Sequence, residues 1–302
     1  MFVQDEDKVK GIKDWIVTGA SIKGANHGRR GLPNQDAIKW ETENGNLVMA
    51  VSDGHGSLKH FRSEIGSKLA VKAAVEIMLE EVDVGNLTDD MLNKIKTRVK
   101  DKLPQRIVNQ WRDKVKEHYQ NNLFSLDRVA QAKLMKLEEE KGIAKRKKIE
   151  DNYIKAYGAT LLIVLITEKF SLYFQLGDGN ISILAEDGKK MLFAAEEQFG
   201  PATNSLCMSE ASNKVKISLI PFSEELPLFI LLSTDGYINS FRNDKDYFKV
   251  IDDFIDLAKH HGIEYINENL SQWLEKTSQQ GSGDDITLGL VYNQNLFDED
   301  YK

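Results

Sequence analysis

The chain has 302 residues, of which 41% are hydrophobic and 29% are charged, a composition that excludes a disordered or collagen-like protein. Its 40 Lys and Arg against 47 Asp and Glu give a formal net charge of −7, which argues against a protein that mainly coats nucleic acid. The single cysteine, Cys207, excludes an internal disulfide and a cysteine metal cluster.

The N-terminal residues 1–11 are acidic and lack the order of regions found in a signal peptide. No apolar run approaches the ~20 residues that span a bilayer. We therefore expect a soluble, cytoplasmic protein without a membrane partner. The length fits either one large domain or two.

The first half of the chain changes from strands to helices. From Phe61 apolar residues recur four apart, which predicts a helix that ends near Gly85. The same spacing continues from Asp89 to about Tyr119, where Pro104 is expected to kink or divide the helix, and a Lys- and Glu-rich helical stretch follows from Leu126 to about Tyr153. Alternating or β-branched runs between turn residues predict strands at Trp15–Ile22, Asp36–Glu43 and Leu47–Asp53.

The second half returns to strands and then adds helices. Asp187-Gly188 is a hairpin turn signal, and the aperiodic, polar segment Ala194–Ser212 is predicted to be a long loop. Helices are predicted at Tyr247–His260 and Glu264–Thr277. Strands are predicted at Ala159–Thr167, Phe170–Leu176, Ile181–Leu184, Lys190–Phe193, Val215–Ile220, Leu228–Thr234 and Ile286–Tyr292. This order fits α+β layers better than a parallel βαβ succession.

Carboxylates stand where four apolar strands end or begin. Asp53, Asp178 and Asp235 follow strands, and Asp284-Asp285 precedes the last one. Glycine after aspartate lets a backbone carbonyl approach a ligand, and hard cations such as Mg²⁺ and Mn²⁺ prefer these oxygen ligands. A single Asp-Gly pair is more often simply a turn, as we expect for Asp187-Gly188, but the recurrence of the pattern favours a metal site.

His55 follows one of these aspartates, in the glycine-flanked sequence Asp53-Gly54-His55-Gly56. An imidazole titrates near neutral pH and can give a proton to a leaving group. An isolated loop histidine is more often a surface residue, which is the interpretation given to the remaining candidates His60, His118, His260 and His261.

Six motifs occur in one order between residues 15 and 292: Gly31-Leu32-Pro33-Asn34-Gln35-Asp36, Ser52-Asp53-Gly54-His55-Gly56, Gly158-Ala159-Thr160-Leu161, Gly177-Asp178-Gly179, Ser233-Thr234-Asp235-Gly236 and Asp284-Asp285-Ile286-Thr287. Together they resemble the metal-dependent serine/threonine protein phosphatases of type 2C. The segment from Gly19 to Ala37 is similar to the bacterial subgroup of that family.

The resemblance implies a single phosphatase domain over residues 1–302, built as a sandwich of two antiparallel sheets flanked by helical layers. It implies two Mg²⁺ or Mn²⁺ ions, with Asp53 bridging both and the Gly54 carbonyl on one. The resemblance also implies that Asp235 and Asp284 bind the other ion, that Asp36 sits beside them through metal-bound water, and that Asp178 serves a third-metal position. A metal-bridging water or hydroxide would attack the phosphomonoester directly, and His55 would be the general acid.

Four positions depart from the family pattern. Gly31 stands where many members have an arginine that binds the substrate phosphate, and Arg30 is the nearest substitute or else a solvated surface charge. Gln35 replaces a metal-binding Glu, and Gly179-Asn180 replaces the common Ser-Arg after the third-metal aspartate. Asp285 replaces a frequent Asn, so its charge either strengthens cation attraction or faces solvent.

A basic helical segment at about 86–155 is longer than expected of the family, and between Asp89 and Glu150 it holds 17 Lys and Arg against 10 Asp and Glu. It is either a packed helix pair with a solvated face or a docking surface for an acidic partner. The loop at about 194–212 falls where the family has a variable flap.

The substrate expected from the resemblance is a phosphoserine or phosphothreonine protein, in opposition to a kinase, with the phosphatase a monomer. Two alternatives share the same motifs. One is a catalytically silent phosphatase-like module that senses or binds a partner, and the other is a metal-dependent phosphatase for small phosphorylated metabolites.

Overall fold

The computed structural model of the chain describes residues 10–12, 14–81, 89–125, 150–193 and 203–297. Within them eleven strands form two sheets, and every paired strand is antiparallel to its neighbours. The first sheet has the order β3-β4-β5-β6-β9, with β3 (Ala37–Glu43), β4 (Asn46–Ser52), β5 (Leu161–Ile166), β6 (Phe170–Leu176) and β9 (Lys216–Pro221). The second has the order β1-β2-β11-β10-β7-β8, with β1 (Lys10–Ile12), β2 (Trp15–Ile22), β7 (Asn180–Ala185), β8 (Gly188–Met191), β10 (Phe229–Ser233) and β11 (Ile286–Asn293).

The continuous apolar run of β5 is explained by burial on both faces. Leu162 and Val164 pack in the core between the two sheets, whereas Leu161 and Ile163 pack in a second core beneath helices. Successive side chains of a strand point to opposite faces, so a strand that is covered on both sides must be apolar at every position. β5 therefore lies at the centre of the layered structure.

The described residues include six α-helices, of which two pairs cover the outer faces of the sheets: α1 (Ala25–Arg30), α2 (Ser63–Glu81), α3 (Asp89–Asn121), α4 (Asp235–Ile238), α5 (Asp244–His261) and α6 (Ile263–Gln280). The pair α2 and α3 packs with the five-stranded sheet, and the pair α5 and α6 packs with the six-stranded sheet. In α6 the buried residues Ile266, Leu270 and Leu274 recur four apart, the spacing of one helical face. The predicted α+β fold, a central sandwich flanked by helical layers, is confirmed.

Pro104 lies inside α3, and the helix is not divided there. Leu103, Ile107 and Trp111 are buried on either side of it, and the Trp111 indole donates a 3.0 Å hydrogen bond to the Gly66 carbonyl of α2. This packing stabilises the helix across the hydrogen bond that proline cannot make. No helix in the described ranges is long and apolar enough to cross a bilayer.

Three predicted segments extend beyond the described residues. The helix expected to end near Gly85 is described only as far as Glu81. Of the helical stretch Leu126–Tyr153, residues 126–149 lie outside them. Of the loop Ala194–Ser212, residues 194–202 lie outside, and the described part leads into a short 3₁₀ turn at Ala211–Lys214.

The sheet registers bring the acidic strand ends to one end of the sandwich. Ser52 at the end of β4 pairs with Ala37 at the start of β3, and Ser233 at the end of β10 pairs with Asn180 at the start of β7. In the structure Asp36, Asp53, Asp178 and Asp235 each lie within two residues of one of these strand termini.

Candidate active site

Three carboxylates converge at this end of the sandwich. Asp53, Asp178 and Asp235 each place one oxygen so that all three oxygens lie within 4.8 Å of one another. Asp53 comes from the five-stranded sheet and Asp235 from the six-stranded sheet, while Asp178 lies in the turn that joins the two between β6 and β7. The cluster therefore depends on both sheets being packed together.

Asp36 lies against this cluster and is only 4% exposed. Its carboxylate accepts a 2.9 Å hydrogen bond from the Thr234 hydroxyl. Burial is the largest cause of a pKa well above the usual range of an aspartate, and the charge of Asp285 raises this pKa further, whereas hydrogen bonds from Thr234 and Thr287 oppose the shift.

Asp53 and Asp235 also have raised pKa values. Burial is the largest cause for both. For Asp53 the charges of Asp36 and Asp235 add to the shift, and for Asp235 those of Asp178 and Asp284 do so. Because neighbouring buried carboxylates disfavour each other's ionised form, a bound cation would stabilise the group by offsetting their charge. The residues present therefore fit a divalent metal site.

The backbone around Gly54 is held between two other segments. Asp53 donates its amide to the Thr160 hydroxyl at 3.0 Å, and the Thr160 amide donates to the Asp53 carbonyl at 2.8 Å. A β-carbon added at Gly54 would lie 2.4 Å from the Gln35 carbonyl oxygen and 2.8 Å from that of Ser63. Only glycine permits this close approach, so the motif glycine has a steric reason.

Asp178 is exposed and accepts a hydrogen bond from the Thr203 hydroxyl. Thr203 belongs to the described end of the segment predicted as a flap, which Leu206 anchors by donating its amide to the Ala159 carbonyl at 2.9 Å. The same segment is held from α3, where Arg112 donates to the carbonyls of Met208 and Ser209. Through Thr203 the flap segment contacts the carboxylate cluster directly.

Asp284 and Asp285 occupy different environments. Asp284 is exposed and its carboxylate accepts the Asp285 amide at 2.9 Å. Asp284 is not one of the three carboxylates within 4.8 Å of one another, but its charge contributes to the raised pKa of Asp235. Asp285 is 3% exposed, so of the two alternatives left open for it the one in which it faces solvent is wrong. Three N–H groups, from Gly24, His27 and Gln35, donate to its carboxylate and account for its burial.

His55 is partly buried beside a second imidazole. The ring centroids of His55 and His60 lie 4.8 Å apart, and the His60 Nδ1 lies 2.5 Å from the Lys155 carbonyl oxygen. His60 is 7% exposed, so its assignment as a surface residue is wrong. Burial lowers the pKa of both histidines to about 4, with Lys59 adding to the effect on His55. Both rings are therefore neutral at pH 7 in the metal-free protein.

The two arginines before the Leu-Pro-Asn-Gln-Asp motif end α1. Arg29 donates to the Asn26 side chain, and Arg30 is exposed. The hydrogen bond to Asp285 raises the pKa of His27, whereas burial and the charge of Arg30 oppose this shift. Gly31 adopts a left-handed conformation with φ of 67° and ends the helix, a position that glycine fills without strain.

Sequence reasoning missed His27, Thr160, Thr203 and Thr234, each of which contacts the site or a residue beside it. Thr160 and Thr234 lie inside two of the six motifs, and this position is the sequence feature from which their role could have been predicted. His27 lies in the short helix α1 and Thr203 in the segment predicted as a flap. Neither position carries a motif, and their partners lie 258 and 25 residues away.

Comparison with known proteins identifies one family. Its model, described as protein phosphatase 2C, matches residues 23–275. No curated protein sequence matches the chain. Among solved structures, Stp1, a serine/threonine phosphatase from Staphylococcus aureus, superposes with a TM-score of 0.54 at 13% identity, covering 91% of this chain and 94% of that one.

Two further structures share the fold. The serine/threonine phosphatase of S. agalactiae has a TM-score of 0.52 at 16% identity, covering 92% of this chain and 99% of its own. The catalytic domain of the phosphatase PstP, solved with two manganese ions, has a TM-score of 0.52 at 14% identity, covering 92% and 97%. At these low identities the three superpositions show a shared fold only. The family assignment rests on the family model, which matches most of the chain.

Proposed function

The chain belongs to the protein phosphatase 2C family of metal-dependent serine/threonine phosphatases, and from this premise we propose the residues with which it hydrolyses phosphomonoesters. Asp53, the Gly54 carbonyl, Asp235 and Asp284 would hold two Mg²⁺ or Mn²⁺ ions, with Asp36 beside them. Asp178 would serve a third position. The observation that carries this assignment is the convergence of three carboxylate oxygens within 4.8 Å.

Two bound cations supply the positive charge that lowers the pKa of a nucleophilic water and offsets the charge of the phosphoryl oxygens. The chain's own residues provide the geometry. Thr160 fixes the backbone of Asp53, and Thr234 orients the Asp36 carboxylate. Because Thr160 directly precedes β5 of one sheet and Thr234 directly follows β10 of the other, the two aspartates are held at the ends of rigid strands, as a preorganised site requires.

His55 would donate a proton to the departing serine or threonine oxygen, which is a poor leaving group as an alkoxide. Its low pKa in the metal-free protein leaves the imidazole neutral at pH 7. A phosphate dianion bound next to the ring favours the protonated form. We therefore propose that substrate binding leads to protonation of His55. The His60 ring packs against this imidazole.

Phosphate binding is assigned to Arg30, which is exposed at the end of α1. The family arginine position is Gly31, which has no side chain, so the guanidinium must come from a neighbour. Arg30 would bind a phosphoryl oxygen through the donor geometry that suits arginine to this role.

We propose a phosphorylated protein as the substrate, a kinase as the opposing enzyme and a monomer as the active form. The metal site alone does not distinguish a phosphoprotein from a small phosphorylated metabolite, because both present the same phosphoryl group. The distinction lies in the surface around the site, which an assay with both substrate classes measures.

The test is hydrolysis of nitrophenyl phosphate, a phosphothreonine peptide and a panel of small phosphorylated metabolites with Mg²⁺ or Mn²⁺. We expect the peptide to be turned over, chelation to stop the reaction, and Asp53→Asn to abolish it. Asp187→Asn is the matched control, because Asp187 also precedes a glycine but lies in the exposed turn between β7 and β8. An inactive wild type that still binds metal would favour the silent module, and preference for a metabolite would favour the other alternative.

A further inference from the structure

A buried cluster of polar groups lies beside the proposed metal ligands and is not used in the reaction described above. The Asp285 carboxylate, 3% exposed, accepts the Gly24 amide on one oxygen at 2.7 Å. Its other oxygen accepts the Gln35 amide at 2.7 Å and faces His27 Nδ1 at 2.8 Å. His27 is 6% exposed. A carboxylate buried this deeply is tolerated only when its oxygens are fully hydrogen-bonded.

These contacts fasten the connection between β2 and β3, which belong to different sheets. A β-carbon added at Gly24 would lie 2.1 Å from the Asp284 carbonyl carbon. The Ala25 amide donates to the Ser278 hydroxyl at 3.0 Å, and that hydroxyl donates to the Asp284 carbonyl at 2.8 Å. The connection therefore lies directly on the segment that carries Asp284.

The connection ends at Asp36, which is proposed to lie beside the bound ions. Gln35, whose amide shares one Asp285 oxygen with His27, is followed at once by Asp36. If His27 were removed, that carboxylate oxygen would lose one of its two donors, and the position of Gln35 would be less constrained. A shift at Gln35 is passed to Asp36 through a single peptide link.

The opposite side of the His27 ring faces the loop after Gly54. A β-carbon added at Gly56 would lie 3.8 Å from His27 Nε2 and 3.5 Å from Gln35 Oε1. Gln35 is 7% exposed, and its Oε1 has no hydrogen-bond partner among the residues that the structure describes. The imidazole thus spans from Asp285 to the loop that holds His55.

We infer that His27, held by Asp285, is a positioning residue that sets the places of Asp36 and of the Gly54–Gly56 loop relative to Asp284. The inference rests on the proposed metal site. Side chains that orient metal ligands commonly change metal affinity by about 10–100-fold when they are removed, and His27 acts here through the Gln35 backbone and not by touching the ion.

The test compares two His27 variants in the full-length, metal-stripped protein. His27→Ala removes the donor to Asp285, whereas His27→Asn places an amide nitrogen close to where Nδ1 lies and keeps that donor. Mn²⁺ affinity is measured from the electron paramagnetic resonance of free Mn²⁺, together with the unfolding midpoint, kcat and KM. We expect His27→Ala to bind Mn²⁺ about tenfold or more weakly, His27→Asn to recover most of the affinity, and KM at saturating Mn²⁺ to stay unchanged.

Trp111→Phe is the control for a general loss of stability, because it removes a buried hydrogen bond between α2 and α3 in the outer helical layer. We expect it to lower the unfolding midpoint and leave Mn²⁺ affinity unchanged. Equal Mn²⁺ affinities for wild type and His27→Ala, or equal losses in His27→Ala and His27→Asn, would overturn the inference alone. A wild-type protein that neither binds Mn²⁺ nor hydrolyses phosphomonoesters would overturn the proposed function as well.

A measurement on the wild type covers the case in which His27→Ala does not fold. In the ring ¹⁵N NMR spectrum, His27 Nδ1 is expected to carry a hydrogen at pH 7 that exchanges more slowly when Mg²⁺ is added. An Nδ1 without hydrogen, or an exchange rate that Mg²⁺ does not change, would contradict a positioning role.

Discussion

The Thr234 hydroxyl donates a 2.9 Å hydrogen bond to the buried carboxylate of Asp36, and this contact joins the end of β10 in one sheet to the start of β3 in the other. The same hydroxyl accepts the Thr287 amide at 2.9 Å. One side chain therefore connects three strands at the end of the sandwich where the carboxylates converge.

Thr234→Val replaces this hydroxyl with a methyl group of similar size and removes one hydrogen bond from each of two buried polar partners. We expect the free energy of unfolding to fall by about 1–3 kcal/mol and Mn²⁺ binding to weaken. Thr234→Ser is the control, since it keeps the hydroxyl. Chemical denaturation of both variants measures the loss, and a serine variant as impaired as the valine variant would show that the methyl group, not the hydrogen bond, matters.

His55→Ala tests the proton donor by comparing leaving groups. Removal of a general acid costs about 10²–10⁴-fold in rate when the leaving group needs protonation. We expect a loss in this range for a phosphothreonine peptide and a much smaller loss for nitrophenyl phosphate, whose leaving group is stable as an anion. Steady-state kinetics with both substrates measure the ratio, and losses of the same size would remove His55 from the donor role.

Gly54→Ala tests the close approach of the motif loop to its neighbours. The added β-carbon would meet the carbonyl oxygens of Gln35 and Ser63 at 2.4 and 2.8 Å, and backbone atoms must move to admit it. We expect a destabilisation of about 1–3 kcal/mol and weaker Mn²⁺ binding. Gly28→Ala is the matched control because nothing lies within 4 Å of its added β-carbon, and its unfolding midpoint should be unchanged or slightly raised.

The pair of His27 and Asp285 predicts a pH dependence of stability in the metal-free protein. The hydrogen bond to Asp285 is the largest cause of the raised pKa of His27, and burial opposes it. A raised folded-state pKa means that the folded protein binds the proton more tightly than the unfolded chain. The stabilisation is therefore complete below the unfolded value of 6.5 and is lost as pH rises through the folded pKa.

The measurement is the difference in unfolding free energy between wild type and His27→Asn, which does not titrate in this range. We expect the difference to be larger at pH 5.5 than at pH 9. A difference that is constant with pH, or one that grows as pH rises, would show that His27 does not gain a proton on folding.

The strand-end aspartates show how much of the site the sequence contained. Asp53, Asp178 and Asp235 were predicted because each follows an apolar run, and the position of a strand end is a local property of sequence. Their meeting point followed only from the resemblance to a family, since the packing of the two sheets is not encoded in any one segment.

The surroundings of the site were harder to predict for a physical reason. The sequence leaves open a solvent-facing Asp285 and predicts His60 at the surface, yet both side chains are buried. A polar side chain is buried when distant groups satisfy it, and the partners of these two lie up to 261 residues away. The local sequence therefore does not predict the burial of such side chains.

The central claim is that the converging carboxylates hold the catalytic cations, and anomalous diffraction from crystals soaked in Mn²⁺ tests it most directly. The account predicts two manganese peaks at the end of the sandwich, with Asp53 contacting both and Asp235 contacting one. Crystals of an enzyme that is active and Mn²⁺-dependent in solution, but whose manganese peaks lie away from Asp53 and Asp235, would contradict it.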